Sequence, residues 1–231
     1  MDDVSGSGLL RHEPVYDGFV ASEGPRQEVA EAIDRHIAEF LGPVEFVLHE
    51  VASHLVGVHV YLVEPTERRP YRTLITSGMS EQPMTVPDGH GISPYAELML
   101  CLPADWPMTQ AALHDDRTGW PVRMLKQVAR LPHEYRTWIG PWHSVPNGDP
   151  AVPYADGTPF AGVVVTPMLT VPEAGHRIVV GDGTVIDLLA LVPLHPAEVA
   201  LKVTQGTGAL IEALDRGGVT ELLDPDRPSF A

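Results

Sequence analysis

The chain has 231 residues, of which 44% are hydrophobic and 20% charged, a composition typical of a soluble globular protein that can bury its own core. Its 31 acidic side chains outnumber its 15 Lys and Arg side chains, which gives a formal net charge of −16. Nucleic-acid binding requires cations that displace phosphate counterions, so this balance argues against a nucleic-acid partner and is compatible with a basic protein partner.

The cysteine count, the N-terminus and the hydropathy pattern bear on location. Cys101 is the single cysteine, so no internal disulfide is expected. The first residues have neither the cationic start nor the apolar core of a signal peptide. No run approaches the ~18 apolar residues that a membrane span requires. We therefore expect a cytoplasmic protein that does not contact a membrane.

The first half of the chain predicts an arm, a helix and four strands. Residues 1–21 lack periodicity and are expected to form a loosely ordered N-terminal arm, followed by one domain over residues 22–231. A helix is expected from Pro25, capped by Ser22 or Gly24 and ended by Gly42-Pro43. The expected strands are Val44–Val51, Val58–Val63, Tyr71–Thr76 and Tyr95–Leu102.

The second half predicts helices that alternate with strands. Residues 103–117 are expected to form a loop, after which Thr118 caps a helix. A helical segment from Pro196 to about Leu214 should break at Gly206-Thr207-Gly208. The expected strands are Ala161–Met168, Arg177–Val180 and Thr184–Val192, the last two joined as a hairpin by Asp182-Gly183. Since Val185–Val192 is nearly all apolar, we predict that it is an interior strand.

The segment Pro132–Pro159 has no regular period and is rich in Pro, Gly, Trp and His. A connection of this length inside a compact domain is often a functional surface. Trp138, Trp142 and His143 within it, together with Met79 and Met84 beside the third strand, are the candidate partner-binding residues. Core packing is the alternative for each of these residue types, methionine above all.

Eleven histidines raise the question of a metal site. The stretch His49-Glu50-Val51-Ala52-Ser53-His54 resembles the H-E-x-x-H zinc motif, but its second histidine comes one residue late and lies near a strand end. The chain also lacks a thiolate cluster, a nucleophile elbow and a phosphate-binding loop. We therefore expect no metal, no cofactor and no catalytic residues.

Glu97 is the most unusual single residue, because it lies in the apolar strand Tyr95–Leu102. One interpretation pairs it with an arginine on a neighbouring strand, such as Arg72. The other makes it an acid or base with a raised pKa, in a hydrolase or metal-dependent enzyme that uses Glu97 with His133 or His143. Structural ion pairs also perturb pKa values, so we favour the first interpretation.

Several stretches resemble the suppressor of fused domain family in order and spacing. T-S-G-M-S-x-x-P-M begins at Thr76, and Y-A-E-L-M-L-x-L-P-x-x-W begins at Tyr95. Further matches are Trp120-Pro121 opening a helix, H-E-Y-R-T-W-I-G-P from His133, F-A-G-V-V-V-T-P-M from Phe160 and D-P-D-R-P from Asp224. The motif residues expected to be mainly structural are Ser77, Gly78, Met79, Pro83, Tyr95, Glu97, Trp120, Gly140 and Pro167.

The resemblance covers about residues 26–230 and implies an α+β fold. The expected architecture is one domain with a twisted, largely antiparallel or mixed β-sheet packed with helices. Animal members resemble this chain only in their N-terminal domain, and they hold a transcription factor with two domains. Single-domain bacterial members resemble immunity proteins of polymorphic toxin systems, and the family supplies no catalytic residues to transfer.

Three functions therefore remain as expectations. The first is a non-enzymatic protein-binding domain, above all a bacterial immunity (antidote) protein that neutralises a toxin or another basic partner. The second is the hydrolase or metal-dependent enzyme described above. The third is a regulatory scaffold that binds a peptide or a transcription factor.

Overall fold

The structure is a computed structural model that describes residues 10–15, 26–50, 53 and 55–231. Within these residues the strands are β1 Val44–Leu48, β2 His59–Val63, β3 Tyr71–Ser77, β4 Ala96–Pro103, β5 Ser144–Pro146, β6 Gly162–Thr166, β7 Arg177–Val179 and β8 Val185–Leu194. The helices are α1 Gln27–Phe40, α2 Gln110–His114, α3 Asp116–Glu134, α4 Pro196–Gln205 and α5 Thr207–Arg216.

The eight strands form one sheet in the order β1-β2-β3-β4-β8-β6-β5, with β7 also paired to β8. Every neighbouring pair is antiparallel except β4 and β8, which run parallel in the register Ala96↔Asp187 to Met99↔Ala190. Helices pack against the sheet, so the predicted α+β fold with one mixed sheet is confirmed.

Helices cover both faces of the sheet. Successive residues of a strand point to opposite faces, so each central strand contributes to two cores. On one face the core shared with α3 contains Leu74, Leu98, Leu100, Trp120, Leu125 and Val128. On the other face the core shared with α1 contains Val29, Ile33, Ile37, Ile75 and Met99. A third core, under α4 and α5, contains Val164, Val192, Val199, Leu210 and Leu214.

The prediction that Val185–Val192 is interior is confirmed. β8 pairs with β4 on one side, and with β7 and then β6 on the other. Its one acidic residue, Asp187, lies at the margin, where its carboxylate accepts hydrogen bonds from Arg177 Nε (3.0 Å) and Ser93 N–H (3.3 Å). The apolar run of this strand thus reflects burial on both faces of the sheet.

The predictions of a loop over residues 103–117 and of a helix cap at Thr118 are wrong. Residues 110–114, expected within a loop, form α2, where the Thr109 side chain accepts the capping hydrogen bond from Ala112 N–H (3.3 Å). α3 begins at Asp116 with Asp115 as its cap, so Thr118 lies inside the helix instead of capping it. A helix of little more than one turn is too short to show the apolar period on which the prediction relied.

Other element ends shift by a few residues. β1 ends at Leu48, whereas Val51 lies outside the described residues, as do the expected helix caps Ser22 and Gly24 and the helix start at Pro25. The long connection Pro132–Pro159, expected to be irregular, contains β5, which pairs with β6. A three-residue strand has no pattern of its own, and its pairing with β6 is what defines it. The predicted break between α4 and α5 is confirmed at Gly206.

Candidate functional site

Glu97 lies at the centre of a closed polar cluster between β3 and β4. Glu97 is 0% exposed to solvent. One carboxylate oxygen accepts a hydrogen bond from Thr76 Oγ1 at 2.6 Å. The other accepts from Gly78 N–H (2.9 Å), Ser80 N–H (3.0 Å) and Ser80 Oγ (2.7 Å). Burial raises the pKa of Glu97, against the opposite effect of these donors, which favour the charged form.

The expected pairing of Glu97 with Arg72 is wrong. The Arg72 guanidinium instead forms an ion pair with Glu45 and donates to the carbonyl of Ala104 at 3.0 Å. The turn after β3 supplies Glu97 with hydroxyl and backbone N–H donors, so the carboxylate is bound without a cation. The sequence could not show this, because the donors are partly backbone atoms whose direction depends on the fold of the turn.

Neither histidine proposed as a catalytic partner is among the groups that hydrogen-bond to the Glu97 carboxylate. The His133 imidazole is buried and hydrogen-bonds through Nε2 to the carbonyl of Met79 at 2.9 Å. His143 lies beside Trp138, with 4.3 Å between the ring centroids. Burial lowers the pKa of both histidines. The geometry therefore does not assemble Glu97 with either histidine at an accessible site.

A Cβ would meet close contacts at the two motif glycines, Gly78 and Gly140. Gly78 has φ +124°, and a Cβ there would lie 2.0 Å from the carbonyl oxygen of Gly57, so only glycine fits the turn that binds Glu97. A Cβ on Gly140 would lie 2.9 Å from the Trp138 ring.

The other motif residues, except Pro83, are buried or half-buried. Met79 is fully buried and Met84 nearly so, in the core shared with α3, and neither lines the cleft described below. Trp120 is buried and stacks on Tyr154 at 5.4 Å between ring centroids. Ser77 is buried, Tyr95 and Pro167 are half-buried, and Pro83 is exposed.

Trp138, Trp142 and His143 lie together in a cleft of about 520 Å³. The cleft runs between the connection that follows α3 and the surface of α4. It is lined by Leu10, His12, Leu131, Thr137, Trp138, Ile139, Pro141, Trp142, His143, Ser144, Val145, Pro146, Val199, Lys202, Val203 and Thr207. This is the concave, largely apolar lining with a few polar groups that ligand sites commonly have.

Hydrogen bonds to β6 hold the aromatic wall of the cleft in place. Trp142 N–H donates to the carbonyl of Val165 at 2.6 Å, and Val165 N–H donates to the carbonyl of His143 at 2.8 Å. Trp142 has a positive φ of 70°, which is uncommon for a bulky residue. The connection is therefore fixed to the sheet next to β5, although the sequence shows no period there.

Lys202 of α4 also lines the cleft. It is 5% exposed, and Nζ donates to the carbonyl of Trp142 and, at 3.0 Å, to Ser144 Oγ. Burial lowers its pKa to about 8, and its charge in turn helps to lower the pKa of His143. Sequence reasoning missed Lys202, yet Val199, Lys202 and Val203 stand at i, i+3 and i+4, which places the lysine on the apolar stripe of its helix.

Part of the expected N-terminal arm lies against this cleft. Leu10 and His12 belong to its lining, and Val15 N–H donates to the carbonyl of Glu134 at 2.7 Å. Arg11 pairs with Asp149 at 2.5 Å. Residues 1–9 and 16–25 lie outside the described part of the chain.

The described residues form neither a three-ligand metal cluster nor a membrane-spanning helix. No three His, Cys, Asp or Glu side chains among them are grouped so that they could hold a metal ion. No helix formed by these residues has the length and apolar character needed to cross a membrane.

Comparison with known proteins places the fold. The family model of the suppressor of fused protein (SUFU) matches residues 53–228. A SUFU homologue from Neisseria gonorrhoeae FA 1090 has a TM-score of 0.61 at 14% identity, over 89% of this chain and 96% of that chain. Drosophila Suppressor of Fused has a TM-score of 0.56 at 13% identity, over 92% of this chain and 53% of that chain. A chain of the Sufu–Fu complex has a TM-score of 0.57 at 13% identity, over 90% of this chain and 93% of that chain. No curated protein matches the sequence.

The open mixed sheet with helices on both faces defines an α+β domain. The chain belongs to the suppressor of fused protein (SUFU) family, since the family model covers well over half of its residues. The predicted resemblance is thus confirmed, and the bacterial homologue from Neisseria shares the fold over nearly its whole length. The chain spans about half the length of the Drosophila protein.

Proposed function

We propose that this protein is a non-enzymatic protein-binding domain that acts as an immunity (antidote) protein in the bacterial cytoplasm. It would neutralise a toxin or another basic partner by occupying part of that partner's surface. The observation that carries this proposal is the cleft lined by Trp138, Trp142 and His143. Aromatic side chains in a concave, partly apolar site are typical anchors of protein interfaces.

The N-terminal segment 10–15 supports the choice of a protein ligand. It lies against the cleft without regular secondary structure, and one of its backbone N–H groups bonds to the end of α3. A peptide strand of a partner could make contacts of the same kind. The structure of the Sufu–Fu complex, which contains a chain of this fold, also favours protein binding.

A regulatory scaffold that binds a peptide or a transcription factor is the second candidate. The same cleft and the Sufu–Fu complex favour it equally, because both candidates require a protein ligand. They differ in the consequence of binding, which is rescue from a toxin in one case and control of a partner's activity in the other. The hydrolase alternative has no comparable support, since Glu97 is enclosed by the turn after β3.

Co-expression tests the proposal. Toxin-like proteins encoded beside this gene are produced in a bacterial host with the wild type, with a Trp138→Ala/Trp142→Ala variant, or with Leu169→Ala. Leu169 is exposed and lies outside the cleft, so it provides the matched control. We expect the wild type and the control to restore growth and to bind the toxin. The double variant should bind at least about 30-fold more weakly, as expected for losing interface anchors worth about 2 kcal/mol or more.

Thermal unfolding of each variant establishes that it is folded before binding is compared. Rescue that survives loss of both tryptophans would exclude the cleft as the binding site. A partner that binds through the cleft but does not affect growth would favour the scaffold. If neither binding nor rescue occurs with any neighbouring gene product, the antidote function is wrong.

A further inference from the structure

Lys202 is a buried cation whose hydrogen-bond partners are neutral. Its Nζ bonds to the Trp142 carbonyl and to Ser144 Oγ, and no Asp or Glu among the described residues lies within the 4.0 Å of an ion pair. The other lysine of the chain, Lys126, is in contrast 3.8 Å from the carboxylate of Glu50. The two hydrogen bonds leave one of the three ammonium N–H groups available.

The cleft around Lys202 differs in charge from the rest of the molecule. The chain carries 31 Asp and Glu residues, yet the described residues that line the cleft include none of them. The titratable groups in the lining are Lys202, His12 and His143. Burying an ammonium group without a counter-ion is costly, and a bound anion would offset that cost.

We propose that the cleft binds a carboxylate of the partner protein on Lys202 and Ser144, beside an aromatic or apolar side chain packed against Trp138 and Trp142. This inference rests on the proposed function and specifies the ligand as a peptide segment with an Asp, Glu or C-terminal carboxylate next to a large apolar side chain. An ammonium–carboxylate hydrogen bond is stronger than a neutral one, particularly where water is largely excluded. The net charge of −16 disfavours anions in general, so a carboxylate is selected here when an apolar neighbour adds packing against Trp138 and Trp142.

The chain is well suited to a direct test, because Lys126 and Lys202 are its only lysines. Selective ¹³C labelling of the lysine Cε atoms gives one signal for each side chain, and the ion-paired Lys126 serves as the internal control. The probes are N-acetyl-phenylalanine, which carries a carboxylate, and N-acetyl-phenylalaninamide, which has the same ring and no charge. Each probe is titrated into the wild type, Lys202→Met and Lys126→Met, and the indole N–H signals of Trp138 and Trp142 are followed as well.

We expect the acid to bind the wild type and Lys126→Met at least about tenfold more tightly than the amide does. It should raise the pKa of Lys202 above its value of about 8 and leave the Lys126 signal unchanged. In Lys202→Met, the acid and the amide should bind equally. The comparison of the two probes on the wild type stands even if the methionine variant does not fold.

Equal binding of the acid and the amide to the wild type would overturn the carboxylate site. Binding of the acid that leaves the Lys202 signal unchanged would also overturn it, and so would a failure of both probes to bind. If both probes shift the indole signals equally, the aromatic cleft remains a binding site and the proposed function stands. The two proposals can also fail separately in the other direction, if the acid binds selectively but no toxin is neutralised in the co-expression experiment. The carboxylate site would then be supported and the antidote function rejected.

Discussion

The buried ionisable residues Glu198, Glu97 and Lys202 differ in the kind of group that each one contacts. The Glu198 carboxylate is paired with Arg227 at 2.7 Å, and this pairing lowers the pKa of Glu198 against the effect of burial. The Glu97 carboxylate is surrounded by O–H and N–H donors instead of a cation. The Lys202 ammonium has neutral oxygen partners among the described residues. An apolar substitution at Glu97 would leave several buried donors unsatisfied, whereas Lys202 has capacity for an additional ligand.

Glu97→Leu and Glu97→Gln should therefore differ in stability. Leucine leaves Gly78 N–H and the two donors of Ser80 without an acceptor, and each buried unsatisfied group costs about 1–3 kcal/mol. We expect Glu97→Leu to lower the free energy of unfolding by about 3 kcal/mol or more. The glutamine carbonyl can accept the same three hydrogen bonds and its amide can donate to Thr76, so Glu97→Gln should remain within about 1 kcal/mol of the wild type. Urea denaturation measures both, and equal losses for the two variants would contradict this account.

The pH dependence of the same variants provides a second readout. Because burial raises the pKa of Glu97 in the folded state, its contribution to stability is fully present below the unfolded value of 4.5 and is lost as the pH rises through the folded pKa. Glu97→Gln cannot titrate. The wild type should therefore lose stability relative to Glu97→Gln over that interval, and a constant difference between the two would show that the pKa is not raised.

At the scale of elements, β8 connects the two halves of the sheet. It pairs in parallel with β4 and antiparallel with β6, and β6 in turn holds the aromatic wall of the cleft. β7, in contrast, pairs with β8 and carries the exposed Val179. A loss of packing in β8 should therefore destabilise the whole domain, whereas a similar loss at Val179 should not.

Leu189→Ala in β8 tests this difference. Leu189 is buried in the core shared with α3, so its truncation should lower the free energy of unfolding by about 2–5 kcal/mol. The matched control is Val179→Ala, where the side chain is 65% exposed and the change should stay within about 0.5 kcal/mol. Chemical denaturation of both variants is the measurement. A loss at Leu189 as small as that at Val179 would show that β8 is not the interior strand.

At the scale of the whole molecule, charge is distributed unevenly. The formal net charge is −16, while the described lining of the cleft contains a lysine, two histidines and no carboxylate. A basic partner would be attracted by the acidic surface over a distance of several ångströms. Specific contacts in the cleft would then act at short range, after the encounter.

Salt should therefore affect the two binding rates differently once a basic partner is identified. We expect the association rate constant to approach about 10⁸ M⁻¹s⁻¹ at low salt and to fall towards about 10⁵–10⁶ M⁻¹s⁻¹ at high salt. The dissociation rate should change little, because it depends on the short-range contacts. Stopped-flow or surface-based kinetics over a range of ionic strength measure both rates. An association rate that does not change with salt would show that the acidity serves solubility alone.

The sequence by itself determined the elements whose signal is local and repeated. Helix α1, the continuous apolar run of β8 and the glycine break between α4 and α5 were all predicted, because capping residues, apolar runs and helix-breaking glycines are local signals. The spaced motifs around Gly78 and Glu97 also indicated the family. Tertiary structure alone decided the partners of individual polar groups. Glu97 accepts hydrogen bonds from backbone N–H groups of a turn, and Lys202 donates to Trp142 and Ser144 of a connection that is distant in sequence. Such pairings depend on where separate segments of the chain meet in the fold, so a local sequence pattern does not predict them.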